Sequence, residues 1–318
     1  MGNFADELIA AIRGKESALC IGLDTAAGMI PEHMRTDILT RYRGRAAVAK
    51  AISEYNKRII DAVEGVVPAV KPNLGFYLGY GPEGMQALED TVTYAHDAGL
   101  IVILDQKSGD IFNTAEMYAA AGIGRVPTFD EGDVLAINAD ASTVVPYMGR
   151  DGIDPFTRYV KEDGKGIFVI GFTSNPSRKD IEELKLETGE HVFEKVGGLI
   201  EEWGADHIGD SGYSSVGVVI GATGPTQAGM LRQKMPRAFA LVPGVGAQGA
   251  DAEDVVPSFG DDGFGAIVNI SRDGVAAYQR GYADSFTARR FAEAARQSAI
   301  DVTSNINAAL EKADKKYW

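Results

Sequence analysis

The sequence predicts an α/β protein, a (β/α)8 TIM barrel, on three observations. Eight short aliphatic runs recur along 318 residues, helix-length amphipathic stretches separate them, and unusual polar residues gather just after the runs. Parallel strands buried on both faces read as continuous apolar runs, not as alternating ones. The candidate strands are Ala18–Leu23, Ala69–Pro72, Ile101–Leu104, Val134–Asn138, Ile167–Phe172, Val216–Ile220, Phe239–Val242 and Ala266–Ile270. A doubly wound open sheet would show the same alternation. Eight strands, seven helix-length connections and further helical sequence after the last strand match the barrel count instead.

The connections support this order. Val48–Val63 carries apolar residues at helical spacing, Gly84–Ala98 follows a Gly-Pro turn, and Val192–Trp203 carries another apolar stripe. Two stretches exceed a minimal βα unit: Gly122–Gly132 before the fourth strand, and Asn175–Ser215 after the fifth, which holds a helix of its own. Loop insertions leave a barrel intact. The expectation is therefore a single domain over 1–318, with an insertion around 175–215 and a C-terminal helical extension at 285–318. No fixed-period repeat or low-complexity segment interrupts it.

Charge narrows the function. Lys and Arg number 31 against 45 Asp and Glu, a net charge of −14. Nucleic-acid binding normally needs a basic face, and anionic membranes repel such a surface, so neither partner is expected. A small anionic substrate remains compatible, because a local basic cluster can dominate a site inside an acidic protein. The one cysteine, Cys20, can form no intrachain disulfide and reads as a buried strand residue in SALCIGLD. The N-terminal stretch lacks a basic region followed by a long apolar core, and no apolar run approaches a membrane span. A soluble, cytoplasmic protein is the expectation.

Barrel chemistry sits at the C-terminal ends of the strands. Asp24 follows the first strand; Lys71 ends the second, with Asn73 two residues on; Asp105, Lys107 and Asp110 follow the third in ILDQKSGDIFNT. Ser174 follows the fifth, Gln248 lies in the glycine-rich loop VPGVGAQGAD after the seventh, and Arg272 follows the eighth. Asp105 and Lys107 are two apart, so an extended chain points them to one face. With Lys71 and Asp110 in reach they would form an alternating charge array that keeps each lysine protonated and each aspartate ionised. Groups held this way need no reorganisation as charge develops in a transition state. Glycine-rich turns let backbone N–H groups approach an anion, so Gly244, Gly246, Gly249, Gln248 and Arg272 fit a phosphate site. The four histidines cluster at no strand end, and with one cysteine a zinc or iron site is not expected. A magnesium ion on Asp24, Asp105 and Asp110 is conceivable, although two neighbouring lysines oppose it on charge grounds.

These residues carry a resemblance. LDQKSGDIFNT resembles the Asp-x-Lys-x-x-Asp-Ile signature of the orotidine 5′-phosphate decarboxylases, and IGLD, VKPN, TSNP, VPGVGAQGAD and the Arg272 segment follow in the family's order. The long insertions and C-terminal tail look like the longer, divergent branch of that family. The resemblance implies a cofactor-free and metal-free carboxy-lyase that converts orotidine 5′-monophosphate to uridine 5′-monophosphate and CO2, the last step of de novo UMP biosynthesis. Lys107 is then the proton donor to C6, Asp105 lies against the departing carboxylate, and Lys71 completes the network while contacting ribose. Asp24 binds a ribose hydroxyl, Ser174 the pyrimidine edge, Gln248 and Arg272 the phosphate, with Asn73 a further substrate contact. Asp110, Ile111 and Thr114 would cross into a partner's site, which implies a homodimer. The pattern departs at Ser271, where many members have glycine. The rival readings are a Mg-dependent phosphosugar decarboxylase or synthase sharing the motif core, a Schiff-base enzyme using Lys107 or Lys71, and a non-catalytic phosphometabolite-binding barrel.

Overall fold

Aliphatic, β-branched runs form strands whose both faces are shielded from water, and the computed structural model, which describes residues 2–316 and Trp318, places eight such strands in a barrel and two more in an exposed hairpin. In chain order these are β1 (Leu19–Leu23), β2 (Ala69–Pro72), β3 (Ile101–Ser108), β4 (Arg125–Pro127), β5 (Asp133–Leu135), β6 (Ala141–Val144), β7 (Gly166–Phe172), β8 (Ser214–Ile220), β9 (Ala238–Pro243) and β10 (Ala266–Ile270). Eight close a barrel in the order β1-β10-β9-β8-β7-β6-β3-β2, with every neighbouring pair parallel. Cys20 sits in the middle of β1, fully buried, paired with Ala69 on one side and Asn269 on the other. Burial pushes its thiol up to about 12, which removes it from thiolate chemistry.

The fourth barrel strand corrects the sequence expectation. It is Ala141–Val144, not Val134–Asn138. Val134 and Leu135 instead belong to an antiparallel hairpin in which Val126 faces Val134, and Leu135 is largely exposed. The hairpin consumes the segment expected as a plain long connection from Gly122 to Gly132. Ile137 and Ala139 then donate backbone hydrogen bonds to Ala121 and Gly122 and lead the chain back to the barrel. The true strand carries Ser142 and Thr143 among its four residues. A rule that seeks the most aliphatic run passes over it.

The helices follow their amphipathic patterns, as Gly44–Val63, Gly81–Asp97 and Val192–Gly204. In the C-terminal region Phe291–Lys312 forms one long helix, and Phe291 stacks on the buried ring of Tyr55 at 4.3 Å. Between β7 and helix Val192–Gly204 the chain makes a short 3-10 turn (Pro176–Asp180), then pairs Lys185 with His191 before the helix begins.

At the end of the barrel remote from the strand tips, Arg232 is half-buried among backbone carbonyls. It donates to Ser258, Met235, Pro236, Ala238 and Gly265, joining the entries to β9 and β10. Arg232→Ala strips donors from several buried acceptors at once, each costing about 1–3 kcal/mol when left unsatisfied. The expected result is a stability loss of about 3 kcal/mol or more by denaturant titration, with turnover per folded molecule unchanged.

Candidate active site

Each of the eight barrel strands sends residues to one cavity of about 280 Å³ at the strands' C-terminal ends. Asp24 comes from β1, Lys71 and Asn73 from β2, Asp105 and Lys107 from β3, and Thr143 from β6. Ile170, Val219 and Leu241 give it an apolar floor, while Ser174, Asn175, Gln248, Asn269, Ser271 and Arg272 complete the wall. A few convergent polar groups over an apolar base are what a small-molecule site requires. The cavity shares Ser174, Asn175 and Gln248 with a wider cleft of about 650 Å³ lined also by Arg178, Lys179 and Thr223.

The charges alternate along the cavity. Lys71 Nζ donates to Asp105 Oδ2 at 2.8 Å and stands 3.9 Å from Asp24 Oδ1, while Lys107 Nζ donates to Asp105 Oδ1. Thr143 Oγ1 also donates to Asp105 Oδ1, at 3.0 Å. Lys71 and Asp105 are only 3% and 8% exposed, so neither could stay charged alone. Burial by itself would raise the Asp105 carboxyl, but the ammonium groups of Lys71 and Lys107 outweigh it and hold that carboxyl well below the usual carboxylate range. Burial would likewise lower Lys71, and Asp105 and Asp24 outweigh it, raising the ammonium above the ordinary lysine value. Lys107 differs in keeping its side chain half exposed toward the cavity mouth. That is an ammonium fixed at one end and accessible at the other.

How β3 delivers Lys107 is not the simple alternation the spacing suggested. The β3–β6 register shifts between Leu104 and Ser108, and Lys107 has φ +46°, a region non-glycine residues seldom adopt. Its backbone N–H donates to Thr143 Oγ1 at 2.9 Å, so one threonine fixes both the Lys107 backbone and the Asp105 carboxylate. Thr143 was missed in the sequence because the fourth strand was placed too early. Asn269 carries a signal in the sequence, a polar residue inside the apolar run IVNIS.

Two further expectations change. Asp110 does not join the array within this chain: it lies outside the cavity lining, and its Oδ1 accepts the Ile111 N–H at 2.8 Å. Ile111 and Thr114 are exposed at the start of helix Phe112–Ile123, also off the cavity. In the loop after β9, the Gly246 and Gly249 N–H groups donate to Ala250 and Gly246 carbonyls and are not presented to an anion. These glycines shape the loop instead. Gly246 has φ +74°, and a Cβ there would lie 2.2 Å from Asp273 Oδ2. The side chains of Gln248 and Arg272 line this part of the cavity; Arg272 opens a short helix and makes no ion pair among the described residues. Ser271 bears on Gly22, where a Cβ would fall 2.1 Å from the serine Oγ, so β1 and β10 have room for one side chain there. Two buried acceptors at the cavity, Asp24 Oδ1 and Asn269 Oδ1, have no hydrogen-bond donor among the described residues.

Comparison with known proteins places the chain in a family. Residues 17–278 match the model of the Orotidine 5'-phosphate decarboxylase / HUMPS family. A protein of Rhodopirellula baltica named orotidine 5'-phosphate decarboxylase is 40% identical over 88% of this chain and 90% of its own length. One of the same name from Caldicellulosiruptor saccharolyticus is 37% identical over 98% of this chain and all of its own. The structure of Leishmania donovani OMP decarboxylase superposes with a TM-score of 0.70 at 30% identity, covering 96% of this chain and 98% of the other. On sequence, on barrel architecture and on the match across residues 17–278, the chain belongs to the orotidine 5'-phosphate decarboxylase / HUMPS family.

Proposed function

We propose that this protein is a carboxy-lyase that decarboxylates orotidine 5′-monophosphate to uridine 5′-monophosphate, with Lys107 delivering a proton to C6. The observation that carries this reading is the Lys71–Asp105–Lys107 array, a carboxylate fixed between two ammonium groups with one of them open to the cavity. Loss of CO2 from C6 leaves an electron pair with no carbonyl or imine placed to delocalise it. The Lys107 ammonium offsets that charge as it develops and then supplies the proton. Asp105, held ionised, lies against the departing carboxylate, and Lys71 fixes Asp105 while reaching ribose.

The remaining contacts follow from the wall. Asp24, with an acceptor oxygen lacking a donor among the described residues, takes a ribose hydroxyl, and Asn73 adds a further contact. Ser174 meets the pyrimidine edge, while Gln248 and Arg272 grip the phosphate, the guanidinium in a bidentate fork. The phosphosugar rival needs a divalent cation shared by Asp24 and Asp105. The Lys71 ammonium stands in that place, and a cation there would face it directly.

A homodimer is part of the same proposal, with Asp110, Ile111 and Thr114 completing a partner's site. Its support is the exposure of four large apolar residues at the start of and within helix Phe112–Ile123: Ile111, Phe112, Met117 and Tyr118. A cytoplasmic location is proposed from the substrate, a charged nucleotide that does not cross a bilayer unaided; no helix among the described residues is long and apolar enough to span one.

The test is loss of orotidine monophosphate absorbance on mixing with the purified protein in excess chelator. Full turnover under chelation is expected. Turnover only after Mg²⁺ is restored would move the protein to the phosphosugar reading, and tight nucleotide binding with no turnover would move it to a binding role.

A further inference from the structure

Beyond Ser174, the segment after β7 has no part in the mechanism above, yet its polar side chains converge on Thr173 and Ser174. Glu182 accepts from the Thr173 backbone N–H at 2.8 Å through one oxygen and from Thr173 Oγ1 at 2.6 Å through the other. Both the peptide plane and the side-chain rotamer of Thr173 are thereby fixed. The Arg178 guanidinium sits over the Phe172 ring, 4.4 Å from its centroid, and donates to the Thr173 carbonyl at 3.2 Å. The same guanidinium nitrogen donates to Thr223 Oγ1 at 2.8 Å, and Thr223 Oγ1 in turn donates to the Ser174 carbonyl at 3.0 Å. On the remaining side Gly221 abuts Ser174, since a Cβ there would fall 2.6 Å from the Ser174 nitrogen.

The backbone on both sides of the Ser174 side chain is therefore clamped from three directions. Strand-tip loops are ordinarily the mobile part of a barrel. A hydroxyl that must meet one edge of a flat ring needs its backbone held to a fraction of an ångström, and supporting hydrogen bonds supply that. Arg178 suits the task because its planar fork can stack on Phe172 and bond in the same geometry, which lysine cannot do. We propose that Arg178 and Glu182 are positioning residues: acting through Thr173 and Thr223, they aim Ser174 into the cavity. This rests on the role given to Ser174 above and assigns a purpose to the first part of the 175–215 segment.

A double-mutant cycle on the full chain tests it, with orotidine monophosphate as substrate and thermal midpoints recorded for every variant. Ser174→Ala is expected to lower kcat/KM by about tenfold, the equivalent of one hydrogen bond. Arg178→Ala and Glu182→Gln should each give a comparable loss. In the Ser174→Ala background either change should add no more than about a twofold further loss, because nothing remains to be aimed. A general loss of folded or ordered protein would lower activity by the same factor in both backgrounds. Single losses that multiply in the double variants would overturn the inference and leave the role of Ser174 standing. Wild-type kcat/KM in both Arg178→Ala and Glu182→Gln would overturn it as well. Wild-type kcat/KM in Ser174→Ala would remove the role of Ser174 and the inference together. Should Arg178→Ala fail to fold at the assay temperature, Glu182→Gln, which exchanges a single oxygen, decides the question by the same cycle.

Discussion

Replacing Lys107 with alanine is expected to lower turnover by at least about 10⁴-fold, since it removes both a general acid and a charge aimed at the reacting carbon. The two effects fall on one side chain because the site is built that way. Asp105 and Thr143 hold the lysine's two ends, and the ammonium is the exposed member of the array. The fold should survive, since the side chain is half exposed and Asp105 keeps its contacts to Lys71 and Thr143. Steady-state kinetics with a thermal melt as control would show collapsed kcat beside a nearly unchanged midpoint. Retained turnover would remove the proton donor from the proposed mechanism.

Asp105→Asn should separate binding from chemistry. The amide keeps the volume but withdraws the negative charge that Lys71 and Lys107 share. Turnover should fall by about 10³-fold or more, the scale of losing one preorganised electrostatic contact. A non-reactive ligand carrying a carboxylate at C6 should bind at least as tightly as it does to the wild type, because the like charge facing that carboxylate is gone. Calorimetric affinities set beside kcat would reveal the split, and equal losses in both would contradict it. Stability should also fall, toward the lower end of the about 3–5 kcal/mol seen when a buried pair loses one partner, because Asp24 still lies 3.9 Å from the Lys71 ammonium.

The pH window of that stabilisation follows from the directions of the two shifts. Asp105 has a depressed carboxyl, so its contribution is complete above the ordinary carboxylate range and is lost as pH falls toward the folded value. Lys71 is raised, so its contribution is complete below the ordinary lysine value near 10.4 and is lost only as pH climbs beyond it. Between about pH 5 and pH 9 the link is constant.

Much of this was legible in the residues. Seven of the eight barrel strands announced themselves as aliphatic runs, and the charged residues at their tips converge on one cavity as the fold class requires. The fourth strand was not legible because ASTV buries two hydroxyl residues inside the barrel, while the more apolar VLAIN nearby serves a hairpin and a helix contact. That single displacement hid Thr143, which ties Lys107 to Asp105. The left-handed backbone at Lys107 was equally hidden, since spacing by two assumes a regular strand and β3 shifts register before it. Nearness in sequence does not bring Asp110 to this chain's own array, because its carboxylate accepts from the Ile111 N–H off the cavity. The clamp on Ser174 comes from residues scattered over Phe172–Thr223, and only the closed barrel brings β7 and β8 side by side.

If the cavity stabilises negative charge at C6 through Lys107, hydrogen exchange at C6 of the product isolates that step from CO2 release. Uridine 5′-monophosphate incubated with the protein in D2O and followed by proton NMR should lose its C6 signal faster than in buffer alone, with Lys107→Ala abolishing the acceleration. Equal exchange with wild type and Lys107→Ala, or none above buffer in either, would contradict the account.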